Sequence, residues 1–495
     1  MTTFDSQQLL VPQAYRHPVS ELQLLETHIS WVILTGEWVY KLKKPVDYGF
    51  LDYSTLERRR RFCHEELRLN RRLAPALYID VVTLNRNGAQ LRFEGEGEVV
   101  EYAVKMRQFS QHSLYDRQLM EGRLTPHQMD RLGRFVAHFH ADAAVAPTRS
   151  SYGEPAAVQG PCLDNFTTLL QLEPQRHEAL LQLQRWTEKA YVSLEPVLAM
   201  RKSAGHIREV HGDLHLGNVA EMNGQPMPFD GIEFDPSLRW TDTVNDLAFL
   251  VSDLEHRGRP DLGRVALDAY LEESGDYAGL KLWDYYEIYR WMVRAKVVAL
   301  RKRQGHPEVD EEIDIYLKQA QQRLQARQPR LVITHGLSGS GKTVLTQSLL
   351  EKQGYIRLRS DVIRKRLHGL APDQSSGSEL AAGIYSVGHG ELTYQTMAEL
   401  TRVLLGCGHS VVVDATFLKR AQRNLFRDLA AQQKVPFRMV HLEAPEATLR
   451  ERIALRQSEG RDASEADLEV LEYQLRTQEP LGEDESGPWT DSCLQ

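Results

Sequence analysis

Two stretches of this sequence hold residues able to manage phosphate groups, and they do so in different ways. The run Gly336-Leu337-Ser338-Gly339-Ser340-Gly341-Lys342-Thr343 follows a short apolar stretch, Leu331-Val332-Ile333-Thr334, and precedes a helical pattern from Val344 to Lys352. A strand, a glycine loop and a helix N-terminus form an anion cradle. Backbone N–H groups over Gly336, Ser338, Gly339, Ser340 and Gly341 can curl around phosphate oxygens, and the helix dipole adds to the attraction. Lys342 would reach the β- and γ-phosphates of ATP, and Thr343 would ligate Mg²⁺. The second stretch is His211-Gly212-Asp213-Leu214-His215-Leu216-Gly217-Asn218, followed by Met227-Pro228-Phe229-Asp230. Asp213 can orient and deprotonate an acceptor hydroxyl, while Asn218 and Asp230 can ligate Mg²⁺. His215 reads as structural rather than as a base.

Further residues complete each set. After the glycine loop, the apolar run Ser410 to Val413 ends in Asp414, placed to hold Mg²⁺ or its water shell at a strand end. Asp361, in Arg359-Ser360-Asp361, can accept a proton from a hydroxyl. Arg357, Arg359, Arg364, Lys365 and Arg366 around it could hold an anionic substrate or product. Arg452, Arg456 and Arg461 recur before Asp462-Ala463-Ser464-Glu465-Ala466 and could close over the phosphates. In the first half, Trp38 to Lys43 alternates as a strand, so Lys41 and Lys43 share one face. We take Lys41 as the phosphate-contacting lysine, with Lys43 as the alternative. Its carboxylate partner is expected at Glu66, which falls on one helical stripe with Phe62, Leu69 and Leu73.

At the Gly336–Thr343 loop, Asp361 and Asp414, residues 330 to about 480 resemble the small P-loop kinases related to polynucleotide kinase, zeta toxin, chloramphenicol phosphotransferase and gluconate kinase. That resemblance implies γ-phosphoryl transfer from ATP to a hydroxyl, with Asp361 as the substrate-side base. At Asp213, Asn218 and Asp230, residues from about 20 to 300 resemble aminoglycoside phosphotransferases and the related choline- or homoserine-kinase-like enzymes, which share the kinase fold. It implies that Glu101 to Phe109 is the strand meeting adenine, that Phe135 to His140 lies on a helix buttressing the catalytic loop, and that Asp242 and Asp246 are structural acids. The glycine-rich phosphate loop of protein kinases is reduced here to Thr35-Gly36.

These residues need scaffolds of two types. His28 to Leu34 and Trp38 to Lys43 read as strands, Ser54 to Leu73 as a charged helix, and Tyr78 to Leu84, Ala89 to Phe93 and Val99 to Met106 as further strands. Helical patterning then runs to about Arg327. The polar segment Gln319 to Pro329 marks a boundary, beyond which strands at Arg357 to Leu358, Ser410 to Val413 and Arg438 to Leu442 alternate with helices. The expected architecture is an N-terminal α+β protein-kinase-like bilobal fold over residues 1–325, with a small lobe at about 20–110 and a helical lobe at about 111–325. A C-terminal α/β P-loop domain with a parallel sheet follows over residues 330–495, with a flexible tail from about 480. The four-arginine run Arg58 to Arg61 is expected on the outer face of the helix that carries Glu66.

At 495 residues the chain is too long for one compact core. A formal charge of −8 gives no global pull toward nucleic acid or membrane. The four cysteines lie far apart without zinc spacing, and no apolar run approaches a membrane span, so a reduced cytoplasmic protein is expected. ATP and Mg²⁺ are the expected cofactors, and a small molecule is the expected acceptor. A nucleic-acid 5′-hydroxyl is the alternative acceptor, since the cations around Asp361 could track a phosphate backbone, although no aromatic platform accompanies them. A second alternative is a catalytic P-loop kinase regulated by a nucleotide- or ligand-binding kinase-like module. A remodelling ATPase is a third, but the sequence offers no evident arginine finger or ring-forming extension.

Overall fold

A computed structural model describes residues 4–49, 51–303, 305, 310–375, 387–459 and 466–485, with the side chains of 387 and 456–459 excluded. The chain divides into two compact units. The first comprises residues 1–128, 142–160 and 198–253, and the second 129–141, 161–197 and 254–495.

In the first unit, six antiparallel strands form one sheet. Their order is Gln23–Glu26, Ser30–Leu34, Trp38–Lys43, Glu98–Arg107, Tyr78–Asn87, Gln90–Phe93. Five of these match the strands expected from the sequence. The edge strand Gln23–Glu26 is largely exposed and carries no alternation to betray it. Alternation does govern its neighbours. Along Trp38–Lys43, Tyr40 and Leu42 join one core with Ile33, Val82, Leu84 and Phe93, while Val39 joins a second core with Leu67, Tyr78 and Val104. Lys41 and Lys43 therefore share the face of Val39.

The helix Leu56–Asn70 packs on that second face. It starts where the Thr55 hydroxyl accepts from the N–H of Arg58 at 3.2 Å, and Glu57 in the first turn and Arg68 in the last suit its dipole. Its buried stripe runs Arg59, Cys63, Glu66, Leu67 and Asn70. Glu66 lies inward as expected, but Arg59 does not belong to the outer face. It is buried against Glu101 at 2.8 Å and donates to the carbonyl of Tyr53 at 2.9 Å. Two small antiparallel pairs, Ile207–Glu209 with Trp240–Asp242 and Val219–Met222 with Gln225–Pro228, bracket the 211–218 loop. Asp242 is fully buried and grips Arg201 through two bonds of 2.6 and 2.8 Å. Replacing Arg201 by Leu strands that carboxylate, and we expect a loss of about 3 kcal/mol in unfolding free energy by denaturant titration. An unchanged midpoint would show that the pair contributes nothing net.

In the second unit, helices pack around Phe166, Leu183, Ile288, Trp291, Met292 and Tyr316. A four-stranded parallel sheet has the order Ile356–Arg359, Val411–Asp414, Leu331–His335, Phe437–His441. Its inner strands are buried throughout, which accounts for their unbroken apolar runs. The helix Asp310–Arg323 stops four residues short of the sequence expectation.

The arginines near Asp361 turn away from the substrate role the sequence suggested. Arg357 is buried on Asp268, 3.5 Å from Glu272, and Arg359 lies 3.6 Å from Glu272. Arg366 donates to the carbonyl of Glu272 at 2.5 Å, and Lys365 to that of Pro372 at 3.0 Å. Asp268 and Glu272 belong to the helix Pro260–Ser274, so these cations mainly hold helix to strand. Burial raises the Asp268 carboxyl to about 6 despite Arg357. At the chain's far end, Glu485 takes both 2.7 and 2.9 Å bonds from buried Arg423, which hold it at about 2. Among the described residues, no helix is long and apolar enough to cross a membrane.

Candidate active sites

The first candidate site is assembled from the sheet, the helix and the 211–230 segment, all within the first unit. Lys41 Nζ donates to Glu66 Oε1 at 2.9 Å and also to Asp230 Oδ1. One ammonium thus joins strand, helix and the Asp230 carboxylate. Lys43, on the same face, bonds Glu66 Oε2 at 2.7 Å and Glu233 Oε1, and Tyr53 also donates to Glu233. Burial would push Glu66 upward, but Lys41 and Lys43 outweigh it and hold the carboxyl at about 2. Of the two lysines, only Lys41 is bonded to Asp230. Glu233 and Tyr53 escaped the sequence reading because neither shares a periodic stripe with the residues it meets.

Asp246 holds the backbone of the loop: its carboxylate accepts from the N–H groups of His211 at 3.2 Å and Gly212 at 2.8 Å. His211 Nε2 lies 2.9 Å from the Phe229 carbonyl, and its Nδ1 accepts from the N–H of Asp213 at 3.2 Å, which assigns the proton to Nε2. Asn218 Nδ2 donates to Asp213 O at 3.0 Å and Oδ2 at 3.1 Å, bringing candidate base and metal ligand together. His215 Nε2 lies 3.4 Å from Asp213 Oδ2, while its Nδ1 accepts from the N–H of Gly217 at 3.1 Å, in keeping with a structural role. Asp230 sits at φ +62°, a left-handed conformation, with its N–H on Tyr78 Oη at 3.1 Å. The Thr35-Gly36 turn directs both its N–H groups onto Gln108 Oε1, at 3.1 and 2.9 Å. Those groups are therefore already used within the protein.

The second candidate site lies in the second unit. Gly336, Gly339 and Gly341 have φ of +146°, +83° and +97°, and a Cβ on Gly336 would lie 2.4 Å from the Leu442 carbonyl oxygen. The loop leads into the helix Lys342–Gln353. Lys342 folds back over it, donating to the carbonyls of Gly336 at 3.1 Å and Leu337 at 2.7 Å. Thr343 is exposed at the helix start. Asp414 ends the neighbouring strand and accepts from Thr346 Oγ1 at 3.0 Å, one turn beyond Thr343. Thr346 escaped the sequence reading, as did Gln474, which accepts from the Ser338 N–H at 2.9 Å and donates to Ser338 Oγ at 3.0 Å. Ser340 Oγ is buried without a hydrogen-bond partner among the described residues.

Arg452 reaches the loop, donating to the Gly339 carbonyl at 3.1 Å. The side chain of Arg456, and Arg461 with residues 462–465, lie outside the described residues. Asp361 pairs with Arg364 at 2.8 Å at the start of the helix Ser360–Leu367. Each candidate site holds one carboxylate and one neutral oxygen donor expected to meet a metal, Asp230 with Asn218 and Asp414 with Thr343. That donor set fits Mg²⁺, which keeps waters and takes phosphate oxygens.

Beneath the loop strand, His335 Nδ1 lies 2.6 Å from His441 Nδ1. Burial, then His441 and Arg423, push His335 down to about 4, and burial likewise brings His409 down to about 4. The unfolded chain takes up these protons between about pH 6.5 and 4, whereas the folded unit does not. The two imidazoles therefore lower its stability as pH drops through that window, and outnumber Asp268, whose raised carboxyl acts in the opposite sense. Denaturant midpoints measured from pH 7 to 4.5 check this, and His409→Asn should flatten the slope.

Known proteins bear on this geometry. A family model described as an AAA domain (AAA_33) matches residues 331–481. The uncharacterised protein Rv2004c of Mycobacterium tuberculosis is 31% identical over 459 residues, covering 90% of this chain and 89% of that protein. The chain belongs to the same family as Rv2004c. Among solved structures, a choline/ethanolamine kinase family protein from Mesorhizobium loti is similar over 65% of this chain and 93% of its own, at 14% identity and a TM-score of 0.41. A sugar kinase from Janibacter sp. is similar over 32% of this chain and 83% of its own, at 24% identity and a TM-score of 0.25. The fold is an α+β part with a six-stranded antiparallel sheet, followed along the chain by a glycine-loop domain with a four-stranded parallel sheet.

Proposed function

We propose that this protein is an ATP-dependent phosphotransferase with two nucleotide-binding modules, residues 1–325 and 330–495. Each passes the γ-phosphoryl group of ATP to a hydroxyl, with a small molecule as the favoured acceptor. The observation that supports the reading is that each module gathers a lysine and a carboxylate around the residues expected to meet phosphate. In one, Lys41 bonds Glu66 and Asp230; in the other, Lys342 lies over the glycine loop whose helix carries the Thr346–Asp414 bond.

In the first module, Asp213 takes the acceptor proton while Asp246 keeps its loop in place, and Glu66 aims Lys41 at the phosphates. In the second, loop N–H groups and Lys342 bind the phosphates, Arg452 approaches from the lid side and Asp361 serves as base. Asn218 with Asp230, and Thr343 with Asp414, would hold Mg²⁺, which when bound neutralises phosphate charge.

The test uses γ-labelled ATP with the full chain against metabolite, antibiotic and oligonucleotide pools. The same pools are run with Lys342→Ala and with Asp213→Asn. Two acceptors, each lost with one variant, are expected; label appearing only on oligonucleotide ends would replace the small-molecule reading. A second reading is favoured by the occupied N–H groups of Thr35 and Gly36: the first module binds nucleotide and regulates the second without chemistry. It predicts ATP binding but no turnover in Lys342→Ala.

A further inference from the structure

Behind the helix that carries Glu66, a cleft of about 610 Å³ opens between residues 61–68 and the segment 233–239. No residue of the 211–218 loop lines it. Phe62 and Phe234 provide flat apolar surface, and Arg61, His64, Arg68 and Arg239 bring nitrogen donors. The carboxylates near them are already matched. Glu65 and Glu209 each take bonds from both Arg68 and Arg239, at 2.7 to 3.2 Å, and Glu233 takes Lys43. Arg61 and His64 are exposed and have no ion pair among the described residues; the guanidinium of Arg61 rests over Phe62, 5.7 Å from its centroid. Arg68 makes four side-chain bonds to carboxylate oxygens, which leaves one of its five N–H groups unused.

The cleft therefore has a charge-balanced floor, an unmatched cation at its mouth and two aromatic walls. We propose that it is a binding site for a phosphate monoester of a small, ring-bearing molecule. The ring lies against Phe62 and Phe234, and the phosphate oxygens accept from Arg61, His64 and the free N–H of Arg68. Three donors of this kind suit the three terminal oxygens of a phosphate better than the two of a carboxylate. The cleft shares no residue with the 211–218 loop, although Glu233 on its wall is linked through Lys43 to Glu66.

Calorimetric titration of the full chain with phenyl phosphate, inorganic phosphate and phenol tests this. Phenyl phosphate should bind best and phenol not at all. The exposed double substitution Arg61→Gln with His64→Gln, which leaves the buried ion pairs intact, should weaken phenyl phosphate at least about tenfold. Phe234→Ala should reduce its affinity to that of inorganic phosphate. Superimposable isotherms for wild type and the double variant would overturn the proposal, since phosphate held by the glycine loop is common to both. So would equal binding of phenol, or no binding of phenyl phosphate by the wild type.

Discussion

Lys342→Ala is expected to lower turnover at the glycine-loop site about a thousandfold, while nucleotide binding falls far less. The ammonium is buried over the loop and donates to two of its carbonyls, at 3.1 and 2.7 Å. A unit charge about 4 Å from a developing phosphate charge is worth on the order of 4 kcal/mol at an effective dielectric of about 20. That corresponds to roughly three powers of ten in rate. Binding survives better because the loop N–H groups and the helix N-terminus remain. Single-turnover kinetics in an Asp213→Asn background isolate this site. Retention of more than a third of wild-type turnover would remove Lys342 from the chemistry. The helix itself should persist, since Ala favours it.

Asp213→Asn should have the second large effect, a fall of about 10²- to 10⁴-fold in turnover at the first site with KM for ATP nearly unchanged. Asn is nearly isosteric, and the loop stays held by Asp246 through His211 and Gly212. What is lost is the capacity to accept the hydroxyl proton. Measured in a Lys342→Ala background, turnover should drop while binding of labelled ATP persists. If the Lys342→Ala background shows no turnover even with Asp213 intact, the first module is a binding module, and the regulatory reading takes its place.

Both predictions rest on residues legible in the sequence, for local reasons. Gly336 to Thr343 is contiguous, so strand, loop and helix follow from neighbours along the chain. Lys41 and Glu66 were found from the two-residue strand period and the 3.6-residue helix period, which fix the faces they occupy. Their choice over Lys43 and Glu65 was only partly determined, because Lys43 also turned out to bond Glu66.

Other features depend on chain segments far apart, and local patterning carries no trace of them. Arg59 sits in a run of four arginines, and only the approach of Glu101, 42 residues away, makes it a buried ion-pair residue. Arg357, Arg359 and Arg366 looked like substrate contacts until the helix Pro260–Ser274 brought Asp268 and Glu272 against them. Glu233, Thr346 and Gln474 acquire meaning only from distant partners.

The sequence by itself determined the two candidate phosphate-handling segments, since each is a short run whose spacing sets its own backbone geometry. Tertiary structure alone decided which cations remain available for ligands. A charge is neutralised by whatever the fold places within a few ångströms of it, and that is a property of packing rather than of sequence order.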